Sequence, residues 1–365
     1  MKTYNNYLLT AGITVNFLAA GLFAFAQDLH FSQYYFTPHL LNPAMTGANG
    51  YMEAQLNYKE QWRSVAVPYK TFSVSYCMRM NKKKWDDVDK KRTPFFFKKA
   101  PGQGLAWGVT LYNDNAGDAS MHALQANLSL AYHVMITKEM IFAAGLLGGV
   151  LNRSIDASKL QWGSQYDGKQ WNPAITPASP IQNESFTQPD VGAGLDWYLD
   201  KDEKSINAND HLQLSAGVAM FHVNQPNYSF YNNPDEKLFR KFTAHATGNI
   251  GIKNTPLSIL PSLAWFQQGP ATEMLTGGLI RYRLKEESKY TGRLKGASIA
   301  FGGHYRNKDA VILSTHLQLA YYSIGVSYDI NISDLRSASS GRGSYEISLR
   351  FVDTVRYLYQ TKPQI

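Results

Sequence analysis

Across residues 121–134 the chain alternates without a break. Leu124, Ala126, Leu128, Leu130, Tyr132 and Val134 occupy one parity and Ala123, Gln125, Asn127, Ser129, Ala131 and His133 the other. Successive side chains of a strand point to opposite faces, so this run has one apolar and one polar side. At a rise of about 3.3 Å per residue, a tilted strand of this length carries its apolar stripe across the ~30 Å hydrocarbon core of a bilayer.

The alternation recurs along most of the chain. Residues 51–62 and 71–80 read as a hairpin, in which Phe72, Val74, Tyr76, Met78 and Met80 oppose Ser73, Ser75, Cys77 and Arg79. Residues 104–112 follow, joined to 121–134 by the turn Asn113-Asp114-Asn115-Ala116-Gly117, which is rich in residues that tolerate left-handed backbone. Further strands are expected at 139–152, 191–199, 212–221, 241–252, 257–266 and 272–284. In the last third, Ile299, Phe301 and Tyr305 oppose Ser298, His304 and Arg306, and Leu313, Leu317 and Leu319 oppose Ser314, His316 and Gln318. Tyr322, Ile324, Val326 and Tyr328 then oppose Ser323, Ser327 and Asp329, a change of parity that places a tight turn near Ala320 and Tyr321. Tyr345, Ile347, Leu349 and Phe351 against Glu346, Ser348 and Arg350 complete about 14 strands, the even number expected of a bacterial barrel.

A soluble sandwich would use strands of about 5 or 6 residues with a packed core on the apolar side. These are nearly twice as long, and their polar faces carry Gln, Asn, His, Arg, Asp and Glu. Aromatics make up 13% of the chain, with Tyr and Phe near strand ends as in an interfacial girdle. Closure also removes the edges that lipid would leave unsatisfied. The expected fold is therefore all-β: a transmembrane antiparallel up-and-down barrel in the outer membrane, facing its lipid. No run past residue 26 approaches the ~20 apolar residues of a membrane helix.

Residues 1–26 read as a secretory signal, with Lys2, an apolar stretch over 7–23 and Ala24-Phe25-Ala26 as a cleavage site. Residues 27–49 then form an N-terminal periplasmic segment, too apolar and aromatic to stay exposed and so expected to pack inside the periplasmic mouth of the barrel or against a partner, and 50–360 form the barrel. The formal charge of +8 is spread through turns and loops, with a local excess over 82–99, and no basic helix or zinc motif points to nucleic acid. Cys77 is the single cysteine, so no internal disulfide forms; it reads as a small residue on a polar strand face. Residues 153–189, with Trp162, Tyr166, Trp171 and four prolines, read as an ordered loop, since disordered segments are poor in aromatics.

Phe31-Ser32-Gln33-Tyr34 with Leu41-Asn42-Pro43-Ala44 and Gly47 resembles the N-terminal signature of the PorP/SprF family, outer-membrane proteins of the type IX secretion and gliding machinery. The resemblance continues through Tyr58, Gln61-Trp62, Tyr112-Asn113-Asp114 with Ala116-Gly117, and Gln165-Tyr166-Asp167. It extends to Phe221-His222-Val223-Asn224-Gln225-Pro226-Asn227, Ser327-Tyr328-Asp329 with Leu335, and Tyr345-Glu346, and so covers nearly the whole mature chain. It implies a noncatalytic barrel that works with periplasmic and cell-surface proteins of that system in the secretion or anchoring of an exported surface protein such as an adhesin. Two features depart from the pattern: a long basic insertion at 81–100, and an end at Gln364-Ile365 without a terminal aromatic.

If strands alternate from a periplasmic N-terminus, residues 63–67, 153–189, 224–240 and 331–344 lie outside and the insertion 81–100 lies in the periplasm. Candidate partner-binding residues are Phe31, Tyr34, Tyr35, Leu41, Asn42 and Pro43, then Lys82, Lys83, Lys84 and Trp85 of the insertion, both on the periplasmic side. Trp162, Tyr166 and Trp171 of the long outer loop either anchor a partner or pack within the loop. Arg79, Arg306, Asp329, Glu346 and Arg350 are expected in the lumen, bracing the barrel or tuning a pore. His133, His304 and His316 fall on polar faces as hydrated lumen residues, and no pair has metal-ligand spacing on one strand face, so neither a metal nor a cofactor is expected. Gly145, Gly148 and Gly149 sit within a strand and precede no helix, which argues against a phosphate loop. No motif joins Ser, His and Asp into a hydrolase site. The alternative to a secretion scaffold is a passive porin or small-solute channel.

Overall fold

The computed structural model describes residues 28, 30–64, 67–80, 104–117, 119–137, 139–201, 209–285, 296–334 and 336–353. The strands are β1 (Met52–Gln61), β2 (Tyr69–Arg79), β3 (Gly104–Ala116), β4 (Met121–Met135), β5 (Met140–Ser154), β6 (Ser185–Lys201) and β7 (Leu212–Phe221). They continue as β8 (Lys241–Gly251), β9 (Leu257–Gln268), β10 (Ala271–Lys285), β11 (Ala297–Arg306), β12 (Ala310–Leu319), β13 (Tyr322–Asn331) and β14 (Arg342–Asp353). Each pairs antiparallel with its sequence neighbour, and β1 pairs with β14 from Met52↔Asp353 to Gln61↔Ser344, which closes the 14-stranded ring. No helix among the described residues is long and apolar enough to cross a membrane; the strands do so instead.

The alternation that defines β4 is now a division between lipid and lumen. Leu124, Leu128, Leu130, Tyr132 and Val134 are exposed on the outside, whereas Gln125, Asn127, Ser129, Ala131 and His133 are buried inside. Tyr132, Phe142, Tyr282 and Tyr322 stand exposed near one end of their strands, as the aromatic girdle of a membrane barrel requires. The chain enters β1 and leaves β14 at that same end, which also carries the short connection between Leu319 and Tyr322. Long loops mark the outer side of such barrels, and the opposite end, away from the entry into β1 and the exit from β14, carries the 155–184 and 222–240 connections, which makes it the outer one.

Two prolines interrupt the ladders in permitted places. Pro189 lies in β6 opposite Val150, ahead of the point where β6 begins to pair with β7 at Ala193, so its missing N–H costs no ladder bond. β6 therefore stays paired with β5 back to Ser154↔Ser185 and takes in the end of the stretch expected to be loop. Pro261 lies opposite Gly278 of β10 and falls where the β8–β9 pairing lapses, in unchanged register, between Thr247↔Ser262 and Ile250↔Ile259. The signal stretch 1–26, the basic insertion 81–100 with Lys82, Lys83, Lys84 and Trp85, and the chain end at Gln364-Ile365 lie outside the described residues.

Candidate functional site: the filled lumen and its outer rim

The N-terminal segment is folded into the barrel as a plug. Its turns are short: a 3-10 turn at Tyr34–Phe36, one helical turn at Pro38–Leu41 and a second 3-10 turn at Pro43–Met45. Pro38 and Pro43 each sit at the first position of a turn, where the absent N–H would have been unpaired in any case. Such short pieces are not stable alone, so their order comes from the wall around them.

The plug begins at the outer end. Asp28 donates its backbone N–H to Gln268 Oε1 at 2.7 Å, and its carboxylate pairs with His222, whose Nδ1 lies 2.8 Å from Asp190 Oδ1. Burial opposes the Asp28 charge, yet His222 and Lys241 beside it hold its carboxyl well below the usual range. Burial likewise opposes protonation of His222, but Asp28 and Asp190 outweigh it and raise the ring to about 9. His222 has φ of 54°, a left-handed backbone that turns the ring inward just after β7.

Below this the Phe31-Ser32-Gln33 stretch meets the charged wall. Ser32 and Gln33 donate backbone N–H groups to Glu346 at 2.8 and 3.1 Å, and Ser32 Oγ donates to Asp329 at 2.7 Å. Arg306 ties the same point together, with Nη2 2.7 Å from Ser32 Oγ and 3.0 Å from Asp329, and with Asp309 and Glu273 as further partners. Lys59 Nζ donates to His30 O at 3.0 Å. His316 Nε2 lies 3.0 Å from Tyr35 Oη, and the Tyr35 ring packs on both His316 and His304 at 5.0 and 5.6 Å.

Midway, Tyr34, Leu41 and Met45 pack on Ala264, Leu275 and Ile312 of the wall. Asn42 Nδ2 donates to the main-chain oxygens of Leu195 and Val218, and its Oδ1 accepts from Ala44 N at 2.9 Å. Gly145, Gly194 and Gly217, on three adjacent strands, form the trough that receives this turn: a Cβ at Gly145 would overlap the Pro43–Ala44 backbone, and one at Gly194 or Gly217 the Asn42 amide. The plug leaves at the periplasmic end, where Thr46 Oγ1 donates to Ser129 at 2.8 Å, His133 Nε2 donates to Thr46 O at 2.8 Å and Arg79 Nε donates to Gly47 O at 2.6 Å. Arg350 pairs with Glu53 at 2.6 Å close by.

These placements change several expectations. Arg79, Arg306, Asp329, Glu346 and Arg350 all face the lumen, where most of them hold the plug directly. Phe31, Tyr34, Leu41, Asn42 and Pro43 are buried and Tyr35 nearly so. Of the two placements expected, barrel or partner, the segment takes the barrel, and it fills the lumen instead of stopping at the periplasmic mouth, because the wall offers it complementary charges, carbonyls and glycines. These six residues therefore line no periplasmic docking face. Only residues 46–49, with His39 beside Glu53 and Cys77, lie toward the periplasmic end. His133, His304 and His316 are not simply hydrated lumen residues; each contacts the plug. Sequence reading missed Leu275 and Ile312, whose signal is an apolar residue on the polar parity of β10 and β12. It named His222 only within the motif that follows β7 and gave it no role, and it missed Asp190, which sits beside Pro189.

On the outer rim, Gln165 is buried at the centre of the long loop, accepting from Trp162 N at 3.2 Å and Trp171 Nε1 at 3.1 Å. Trp162 and Trp171 therefore stabilise the loop itself, while Tyr166 stands 57% exposed. The 222–240 loop joins it: Phe186 packs edge-on against Tyr228 and Phe230, and Arg153 lies 4.6 Å over the Tyr228 ring. Three potential metal ligands, His39, Glu53 and Cys77, converge in the lower lumen.

Among solved structures the chain is similar to CdiB from Escherichia coli, at 9% identity and a TM-score of 0.39, covering 82% of this chain and 63% of that one. It is similar also to BamA from Haemophilus ducreyi lacking POTRA domains 1-3, at 9% identity and TM-score 0.38, covering 83% and 70%. A Pseudomonas aeruginosa FadL homologue matches at 9% identity and TM-score 0.34, covering 85% and 92%. Likeness at this level carries no functional argument. No curated protein sequence matches the chain. A family described as type IX secretion system membrane protein PorP/SprF matches residues 23–351, from ahead of the plug into the last strand. With that span, and with the family's expected barrel and N-terminal motifs in place, the chain belongs to the PorP/SprF family of type IX secretion system membrane proteins.

Proposed function

We propose that this protein is a noncatalytic outer-membrane scaffold of the type IX secretion system. Its outer loops hold or help deliver an exported surface protein such as an adhesin, and its periplasmic side, including the basic insertion 81–100, docks components of the machinery. Residues 1–26 serve as the cleaved signal that sends it there. The observation that favours a scaffold over a porin is the plug: the wall residues that would line a bore, such as Gln55, Asn57, Lys59 and Glu346, are instead buried around residues 28–49.

Planar-bilayer recording tests this reading. The purified barrel is expected to give no steady conductance, and a stable porin-like current from the wild type would sink the scaffold reading. For the secretion role, removing residues 160–182 from the outer loop should release the exported protein from the cell surface while the barrel still folds. Undiminished recovery of periplasmic partners after deletion of 81–100 would count against the proposed docking role.

A further inference from the structure

His39 of the plug, Glu53 of β1 and Cys77 of β2 are all buried, and one ligand-type atom from each lies within 4.8 Å of the others. Glu53 and Cys77 are direct cross-strand partners, so both project into the lumen at one level, and the plug brings His39 to them. No strand-face spacing reveals this set, because its members come from three segments.

Three details fit a bound cation. His39 Nδ1 lies 3.4 Å from Thr46 Oγ1, while Nε2 has no partner although the residue is only 2% exposed. With the proton on Nδ1, the buried Nε2 lone pair is left bare, an unfavourable state that a bound cation relieves. Glu53 is oriented by Asn49 at 3.1 Å, by Gln55 and by Arg350 at 2.6 Å, the kind of outer support that ligating carboxylates receive. An imidazole, a carboxylate and a thiol form the donor set that suits zinc rather than calcium or magnesium.

We propose that His39, Glu53 and Cys77 bind one thiophilic divalent cation of the zinc class, which fastens the plug to β1 and β2. On binding, the Cys77 thiol releases its proton to water, so thiolate and carboxylate supply two negative charges to the ion. Arg350 offsets part of the Glu53 charge, which leaves Cys77 and His39 as the main anchors. Because all three residues are buried, the ion enters as the plug docks and leaves slowly.

The test uses the full-length barrel, purified without a polyhistidine tag and refolded in detergent with zinc or cobalt chloride. The expected result is one metal per chain and, for cobalt, the intense near-ultraviolet band of thiolate coordination. Cys77→Ser should remove that band. His39→Gln, a plug variant that leaves every strand intact, should weaken binding at least tenfold, and Thr46→Val by about 10- to 100-fold through loss of ring orientation. Heat-modifiable migration on gels reports folding for each variant. Folded wild type that retains no stoichiometric metal, a cobalt band that persists in folded Cys77→Ser, or unchanged affinity in His39→Gln would overturn the proposal.

Discussion

At the scale of single residues, Asn42 shows how much one side chain can organise. Its amide closes the Pro43–Met45 turn and reaches two strand carbonyls, which the opposing glycines leave accessible. Gly145→Val should displace this turn, since the added side chain meets backbone that cannot give way, and cost about 1–3 kcal/mol; protease sensitivity of residues 30–47 and unfolding in urea would report it. The Asp28–His222–Asp190 chain makes the outer attachment pH-dependent. His222, raised from 6.5 to about 9, contributes stability that is complete below its unfolded value and is lost as pH rises through about 9. Asp28, lowered from 3.8, contributes above that value and loses its contribution as pH falls toward its folded one. Plug protection should therefore be greatest between about pH 4 and 6.5, and decline toward and above pH 9. His222→Asn should abolish the alkaline decline in limited proteolysis.

At the scale of elements, the period of two made nearly every strand readable, because lipid on one side and plug on the other impose opposite demands on neighbouring residues. The lipid side of β4 should reject charge: Leu128→Arg is expected to cost about 2–4 kcal/mol near the bilayer midplane, measured by folding into lipid vesicles. Where the environment was not uniform, the pattern misled. Pro189 hid the first part of β6, since nothing local says that its N–H side lies unpaired against β7. Leu275 and Ile312 look misplaced until Tyr34 and Leu41 are seen against them. The motif Phe31-Ser32-Gln33-Tyr34 could be noticed in the sequence, but its partners Glu346, Asp329 and Arg306 lie at the other end of the chain and only closure brings them together.

At the scale of the whole molecule, the plug runs from Asp28 at the outer rim to Asn49 beside Glu53 at the periplasmic rim. An epitope placed directly before Asp28, after the proposed cleavage site, should be recognised by antibody on intact cells, and the same epitope placed after Asp353 should not. Reversed labelling would refute the sidedness. The segment that fills the lumen precedes β1, and β1 is one of the two strands that meet at the β1–β14 seam. The plug is held from both sides of that seam, by Lys59 of β1 on His30 and by Glu346 of β14 on Ser32 and Gln33, so seating the plug and closing the ring support one another. A change that loosens the plug therefore also removes contacts that bridge the two strands on which the whole ring depends for its closure.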